Sequence, residues 1–385
     1  MALKVSRRGM IPPFIVMDVM QAAAAREIRG KAVYHMEVGQ PGTPAPRGVI
    51  AAAKNALDCE RLGYAVAVGL PDLRAAIANH YSKFYDVEID PQRIVVTTGS
   101  STGFVLSFLS AFDVGDRVAM ALPGYPCYRN IVSALGIEPV LLMADMEHRF
   151  QPTPELLEMA AKKGGKIDGL IVASPSNPTG TMLKENAMGQ LLDYCVANDI
   201  RLVSDEIYHG LTYEVEACTA LSYNHNSIII NSFSKYFSMT GWRLGWMVVP
   251  EDLVRAVECL TQNLFISAPT LSQIAGIAAF KCKEELETNK QKYSKNRDLL
   301  INKLPMAGFG QFAPIDGAFY IYADVSDLTE DSLLFCQRIL DETGVAITPG
   351  KDFDPVRGHR FVRFSFSEST KEVEGAMTAL LNWSR

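Results

Sequence analysis

The chain has 385 residues, 48% of them apolar, and its 43 acidic and 37 basic side chains leave a net charge of -6. One ordinary core does not fill that length, so two domains are expected, and a mildly acidic chain with both signs interspersed argues against a nucleic-acid-binding surface. Seven cysteines, at 59, 127, 195, 218, 259, 282 and 336, form no C-x-x-C and no metal-ligand spacing, which fits a reduced, cytosolic setting.

The N-terminal stretch MALKVSRRGMIPPF carries bases but no apolar run before Pro12 and Pro13, so a cleaved signal peptide is not expected. PPFIVMDVMQAAAAREIRG predicts a helix. The first 45 residues suit neither a strand nor a crossover of a large sheet and are expected to pack with the C-terminal part. Between residues 90 and 250, β-branched runs alternate with helical patterns. RIVVTTG, DRVAMALPG, DGLIVASPSNPTG, IRLVSDEIY, NSIIINSFS and RLGWMVVP read as buried strands ending in turn or polar residues, and STGFVLSFLSAF and NAMGQLLDYCVANDI as helices. Such alternation predicts an α/β domain with a largely parallel sheet covered on both faces, whose ligands bind beyond the carboxyl ends of the strands. Lys162, Lys163 and Lys166 are assigned to a solvated, glycine-bearing loop. The longest uncharged run, Cys259 to Phe280, contains Thr, Gln, Asn, Ser and Pro269 and reads as a buried helix and its approach rather than a membrane span. After residue 285 the polar helix KEELETNKQKYSKNRDLLINKL and the spaced strands GAFYIYADV, GVAITPG and HRFVRFSFS suggest a separate α+β unit. The expected division is a large domain over 46–284 and a smaller α+β domain from 1–45 and 285–385.

Polar residues collect at the strand ends. Gly99, Ser100, Ser101 and Thr102 stand between RIVVTT and the next helix, where free N–H groups and the helix dipole make an anion cradle, although serine and threonine also cap helices without any ligand. Asn177 follows a strand in SPSNPTG, Asp205 closes a strand in IRLVSDEIY, and Tyr208 lies one helical turn further on. Lys235 and Arg243, in SFSKYFSMTGWRLGW, follow two further strand ends. An anion cradle, an arginine for the same anion, a carboxylate, two neutral hydrogen-bonding groups and an amine without an acidic partner all suit one ligand, pyridoxal 5'-phosphate (PLP). Lysine captures its aldehyde, a carboxylate pairs with the ring nitrogen, and neutral partners take the phenolic oxygen. A free lysine with a pKa of about 10.4 is a poor nucleophile at neutral pH, and Arg243 and the bound pyridinium are expected to help deprotonate Lys235.

VGQPG from Val38, YAVAVGLPDLR, SPSNPTG, VSDEIY, SFSKYFSMTGWRLGW and FVRFSFS occur in this order, and through them nearly the whole chain resembles a class I/II aminotransferase of PLP-dependent fold type I, close to aspartate aminotransferase in the broad sense. The resemblance implies a mostly parallel central sheet in a large domain, with a smaller α+β domain built from both chain ends. It implies Lys235 as the Schiff-base lysine and proton shuttle, Asp205 as partner of the ring nitrogen, and Asn177 and Tyr208 as partners of the phenolic oxygen. Ser100, Ser101, Thr102, Ser232 and Arg243 would hold the phosphate, and Tyr125 would stack on the ring. Tyr64 matches a tyrosine that reaches the phosphate of the neighbouring subunit, which implies a homodimer with shared active sites. Arg363 would grip the substrate α-carboxylate with Gly39 lining the same pocket, and the Asn177–Pro178 bond would be cis. Trp242 and Trp246 are read as packing residues, and Arg360 as the surface arginine of its strand.

The reaction so implied is transamination between an L-amino acid and a 2-oxo acid. A lyase of the same fold, of the C–S lyase or aminocyclopropane carboxylate synthase type, needs the same cofactor residues. A PLP-sensing regulator would need a DNA-binding extension, which this sequence is not expected to carry. Ser101 stands where some aspartate-specific relatives carry lysine, and NLFISAPTLSQIAG contains no base. Neutral or aromatic substrates are therefore favoured, unless Arg7, Arg8 or Arg26 supplies a second cation from the N-terminal segment.

Overall fold

A computed structural model describes residues 3–384. Helix α1 (Ile15–Ile28) follows the proline pair, as its sequence predicts. After it come the short strand β1 (Tyr34–His35) and helices α2 (Arg47–Cys59) and α3 (Pro71–Tyr85). Proline suits the first position of α3 because its missing N–H has no intrahelical partner there. Strands and helices then alternate: β2 (Ile94–Thr97), α4 (Ser100–Ala111), β3 (Arg117–Leu122), α5 (Pro126–Leu135), β4 (Glu138–Met143), α6 (Pro154–Gly164), β5 (Gly169–Ala173), α7 (Glu185–Ala197), β6 (Arg201–Asp205), β7 (Ile228–Ser232) and β8 (Gly245–Val248).

These strands form one seven-stranded sheet in the order β2-β8-β7-β6-β5-β3-β4. Alternate residues of each strand feed two separate cores. Ile94, Val96, Leu170, Val172 and Ile229 enter one; Val95, Ile171, Ile228 and Ile230 enter the other. Both faces are thus dry, which is why the strands read as unbroken apolar runs. All pairings are parallel except those of β8, which runs antiparallel to both β2 and β7.

Two expectations need correction here. Lys162 and Lys163 belong to the last turn of α6, where their charge complements the helix dipole, and are not part of a loop. The uncharged run from Cys259 is split between the end of α8 (Glu251–Leu264) and α9 (Thr270–Ala279), because Pro269 starts a new helix. Among the described residues no helix is long and apolar enough to cross a membrane.

The polar helix α10 (Lys283–Lys303) buries Leu286, Tyr293, Arg297 and Leu300, a single stripe at helical spacing. Beyond it lie β9 (Gln311–Phe312), β10 (Tyr320–Asp324), α11 (Ser332–Thr343), β11 (Val345–Ala346), β12 (Thr348–Pro349), β13 (Phe361–Ser365) and α12 (Thr370–Leu381). An antiparallel sheet runs β12-β13-β10-β9. GVAITPG is two strands rather than one. Its first part, β11, pairs in parallel with β1, Tyr34 opposite Val345, which ties the N-terminal segment to the far end of the chain.

Candidate active site

Because β2, β3, β5, β6 and β7 are mutually parallel in the sheet, their carboxyl ends share one edge. Residues just beyond those ends line a cavity of about 190 Å³: Ser100 and Ser101 after β2, Tyr125 after β3, Asn177 after β5, Asp205 and Tyr208 at β6, Ser234 and Lys235 after β7. Arg243 precedes β8 rather than following a strand, and it reaches the same edge only because β8 is antiparallel. Gly39 and Arg363 close the cavity from outside the large sheet.

The Lys235 amine donates to the Gly39 carbonyl at 2.5 Å and lies near the rings of Tyr208 and Phe319. Burial lowers its pKa to about 8, and the Arg363 charge lowers it further than Arg243 does, while Asp205 pulls the other way. The expected help from Arg243 is therefore the smallest contribution. Asp205 is buried too: the Tyr128 hydroxyl donates to Oδ2 and the Ile207 N–H to Oδ1 at 3.1 Å. Burial outweighs these donors and lifts its pKa to about 6.

The anion cradle depends on a glycine. Gly99 has φ +82°, and a Cβ there would stand 2.4 Å from Arg243 Nη2. Only glycine lets the guanidinium seat against the start of α4, whose first-turn N–H groups have no intrahelical acceptors. A second close approach occurs at Gly39, where a Cβ would come within 1.7 Å of the Tyr320 hydroxyl.

Arg363 is 2% exposed. Its guanidinium lies between the rings of Tyr320 and Phe353, at 4.5 and 4.6 Å. Nη1 donates to Asn177 Oδ1 at 2.9 Å, and Nη2 to the Glu37 carbonyl and to Thr348 Oγ1. The buried Nε–H has no acceptor among the described residues. Tyr208 and Tyr320 share a hydrogen bond of 2.7 Å between their hydroxyls. The Asn177–Pro178 bond is cis, as are Leu122–Pro123 and Ser174–Pro175.

Three named residues lie outside the cavity lining. The Thr102 hydroxyl sits 2.6 Å from that of Thr98. The Ser232 hydroxyl accepts from the Ser234 N–H at 3.0 Å and donates to the Leu244 carbonyl, so it shapes the turn and Ser234 takes the wall. Tyr64 is 91% exposed and is not brought to the site within one chain. Neither Arg7, Arg8 nor Arg26 lines the cavity; Arg26 donates to the carbonyls of Ala32 and Asp341 at the far end of α1. Trp246 is fully buried packing, and Arg360 pairs with Asp324 at 3.1 Å on the surface.

Sequence reasoning missed Tyr128, Tyr320, Ser234, Thr240 and an apolar wall of Phe14, Val16, Met17 and Met20 from the start of α1. Tyr128 was findable, one helical turn past Tyr125 on α5. The α1 wall carried no local signal.

Over residues 31–380 the chain matches the family model of class I and II aminotransferases, and it belongs to that family. It is an amino acid aminotransferase with the aspartate aminotransferase-like fold. The valine–pyruvate aminotransferase of Mycobacterium tuberculosis is 49% identical over 99% of this chain and 98% of its own length. A crystal structure of an aminotransferase from the same organism superposes with a TM-score of 0.97 at 48% identity, covering 99% of both chains. The aspartate aminotransferase of Thermus thermophilus reaches 0.92 at 29% identity, again over 99% of each.

Proposed function

We propose that this aminotransferase uses PLP and takes neutral aliphatic amino acids, with valine and pyruvate as its type of substrate pair. The observation that carries the reading is the composition of one cavity: amine, carboxylate, glycine-dependent anion cradle and buried arginine, with the apolar side chains of Phe14, Val16, Met17 and Met20 from the start of α1 in the same lining. The donor set fits PLP, and the relative named for valine and pyruvate agrees with a wall lacking a second cation.

When bound, PLP supplies an aldehyde for an amine to capture and a ring that draws off carbanion charge. Lys235, its pKa lowered to about 8 chiefly by burial, would anchor that aldehyde and carry the proton to and from the substrate α-carbon. The Asp205 carboxylate, oriented by the Tyr128 hydroxyl, would hold a proton on the ring nitrogen. Asn177 uses Oδ1 on Arg363, which leaves its amide N–H groups for the phenolic oxygen, together with the Tyr208 hydroxyl. Ser100, Ser101 and Arg243 would hold the phosphate, with Thr102 and Ser232 shaping the turns that carry them. Tyr125, in the same lining, would stack on the ring. Arg363 holds the α-carboxylate beside Gly39, and α1 meets the side chain.

Tyr64 comes from a second copy in this reading. Its exposure, with that of Leu57 and Val66, supports a surface covered by a partner. The division into 46–284 and a unit from both chain ends is supported by the pairing of β1 with β11. The test is a survey of half-reactions, each L-amino acid being mixed with the holoenzyme while cofactor absorbance is followed. Valine and other aliphatic residues should convert faster than aspartate, and a preference for aspartate would overturn the assignment.

A further inference from the structure

Helix α1 supplies the apolar wall, yet it has no cap from its own neighbourhood. Its N-cap, Phe14, offers no side-chain acceptor, and first-turn N–H groups lack intrahelical partners. The acceptor comes from the other end of the chain. Ile15 N–H donates to Asp352 Oδ1 and Val16 N–H to Asp352 Oδ2, each at 3.1 Å. Asp352 is 1% exposed. Its backbone carbonyl accepts from Arg129 Nη2 at 2.6 Å, and Arg129 is on α5, the helix that also carries Tyr128. Its neighbour Phe353 is one of the two rings that hold the Arg363 guanidinium.

The pair Asp352-Phe353 thus touches three walls of the cavity at once: α1, α5 and Arg363. A buried carboxylate is costly unless donors surround it. Burial raises the Asp352 pKa above the usual carboxylate value, and the two α1 amides, followed by the nearby charges of Arg363 and Arg129, pull against that rise. Undocking α1 would strip Asp352 of both hydrogen bonds, so the helix and the acid hold each other in place.

We propose that Asp352 is a positioning residue that sets α1 as the specificity wall, fixing the depth at which Val16, Met17 and Met20 meet the substrate side chain. The inference rests on the reading of this cavity as the amino acid site. Valine is long enough to feel that wall and alanine is not, while both use the same carboxylate grip.

The native holoenzyme is compared with Asp352→Ala and with the near-isosteric Asp352→Asn, which keeps one acceptor and decides the matter if the alanine variant does not fold. Amide exchange read by mass spectrometry is independent of turnover. Ile15 and Val16 owe their protection to Asp352, so Asp352→Ala should lose about five- to thirtyfold of it, the factor equivalent to one helix cap, and Asp352→Asn less. In turnover, kcat/KM for valine should fall by a similar factor through KM, with alanine changed by less than about twofold. Unaltered exchange across 15–20, or equal losses for valine and alanine, would overturn the proposal. A native enzyme that prefers aspartate would sink the substrate assignment instead, and the exchange result would still decide whether Asp352 holds α1.

Discussion

An Arg363→Lys variant keeps the positive charge of the cavity and removes its shape. In the native chain the guanidinium is a plate clamped between two aromatic rings, with Nη1 on Asn177 and Nη2 on the Glu37 carbonyl and Thr348. At 2% exposure it cannot swing out to water. A guanidinium meets a carboxylate through a planar fork, and the unpartnered Nε–H is a donor that a carboxylate would satisfy. An ammonium has no plane to stack and points fewer donors along fixed directions. Losing one charge-assisted hydrogen bond, about 1.5 to 3 kcal/mol, multiplies the apparent KM by roughly 10 to 150. The factor should be similar for every amino acid and 2-oxo acid, since all carry the α-carboxylate. The assay titrates valine, alanine, aspartate and pyruvate in single half-reactions, with a melting curve to confirm that the variant is folded. A loss confined to dicarboxylates would move Arg363 to the side-chain end of the site. Unchanged constants for all four compounds would refute the carboxylate grip.

Lys235→Ala should fold and still retain PLP through the cradle, Arg243 and Asp205, but turnover should drop by at least about 10² to 10⁴; near-normal turnover would remove Lys235 as proton carrier. Asp205 has a folded pKa of about 6 against its ordinary 3.8, so the stability linked to its neutral form is present below 3.8 and lost as pH rises through 6. In the cofactor-free protein Asp205→Asn should therefore melt higher than native by a margin that widens between pH 4 and 7, up to roughly 3 kcal/mol, while transamination collapses. A margin independent of pH would contradict that account. Mixing inactive Tyr64→Ala and Lys235→Ala proteins under conditions of subunit exchange should restore up to roughly one native site in four, because half the dimers are hybrids with one complete site each. Confirmed exchange with no recovered activity would exclude a shared site.

Local physics alone determined much of this protein. Unbroken β-branched runs marked β2, β3 and β5 to β8, because a sheet covered on both faces leaves no wet side to alternate with. β4 escaped notice since it lies at the sheet edge, its burial irregular and Glu138 exposed. Lys235, Asp205, Asn177 and Ser100 were legible as neighbours around one cavity because strand ends in a parallel sheet converge whatever the rest of the fold does. What the chain could not express locally was every contact whose partner lies far away in sequence. The direction of β8 decides on which edge Arg243 sits, and no residue of SFSKYFSMTGWRLGW encodes it. The Tyr128 hydroxyl finds Asp205, and Arg363 finds Glu37 and Asn177, only after the layers have packed. Tyr64 is a lone exposed ring until a second copy is considered. Helix α1 is the clearest case. IVMDVMQAAAA is apolar almost all round, so no stripe says which side turns inward. Two hydrogen bonds to Asp352, 336 and 337 residues away in the chain, tie its first turn in place.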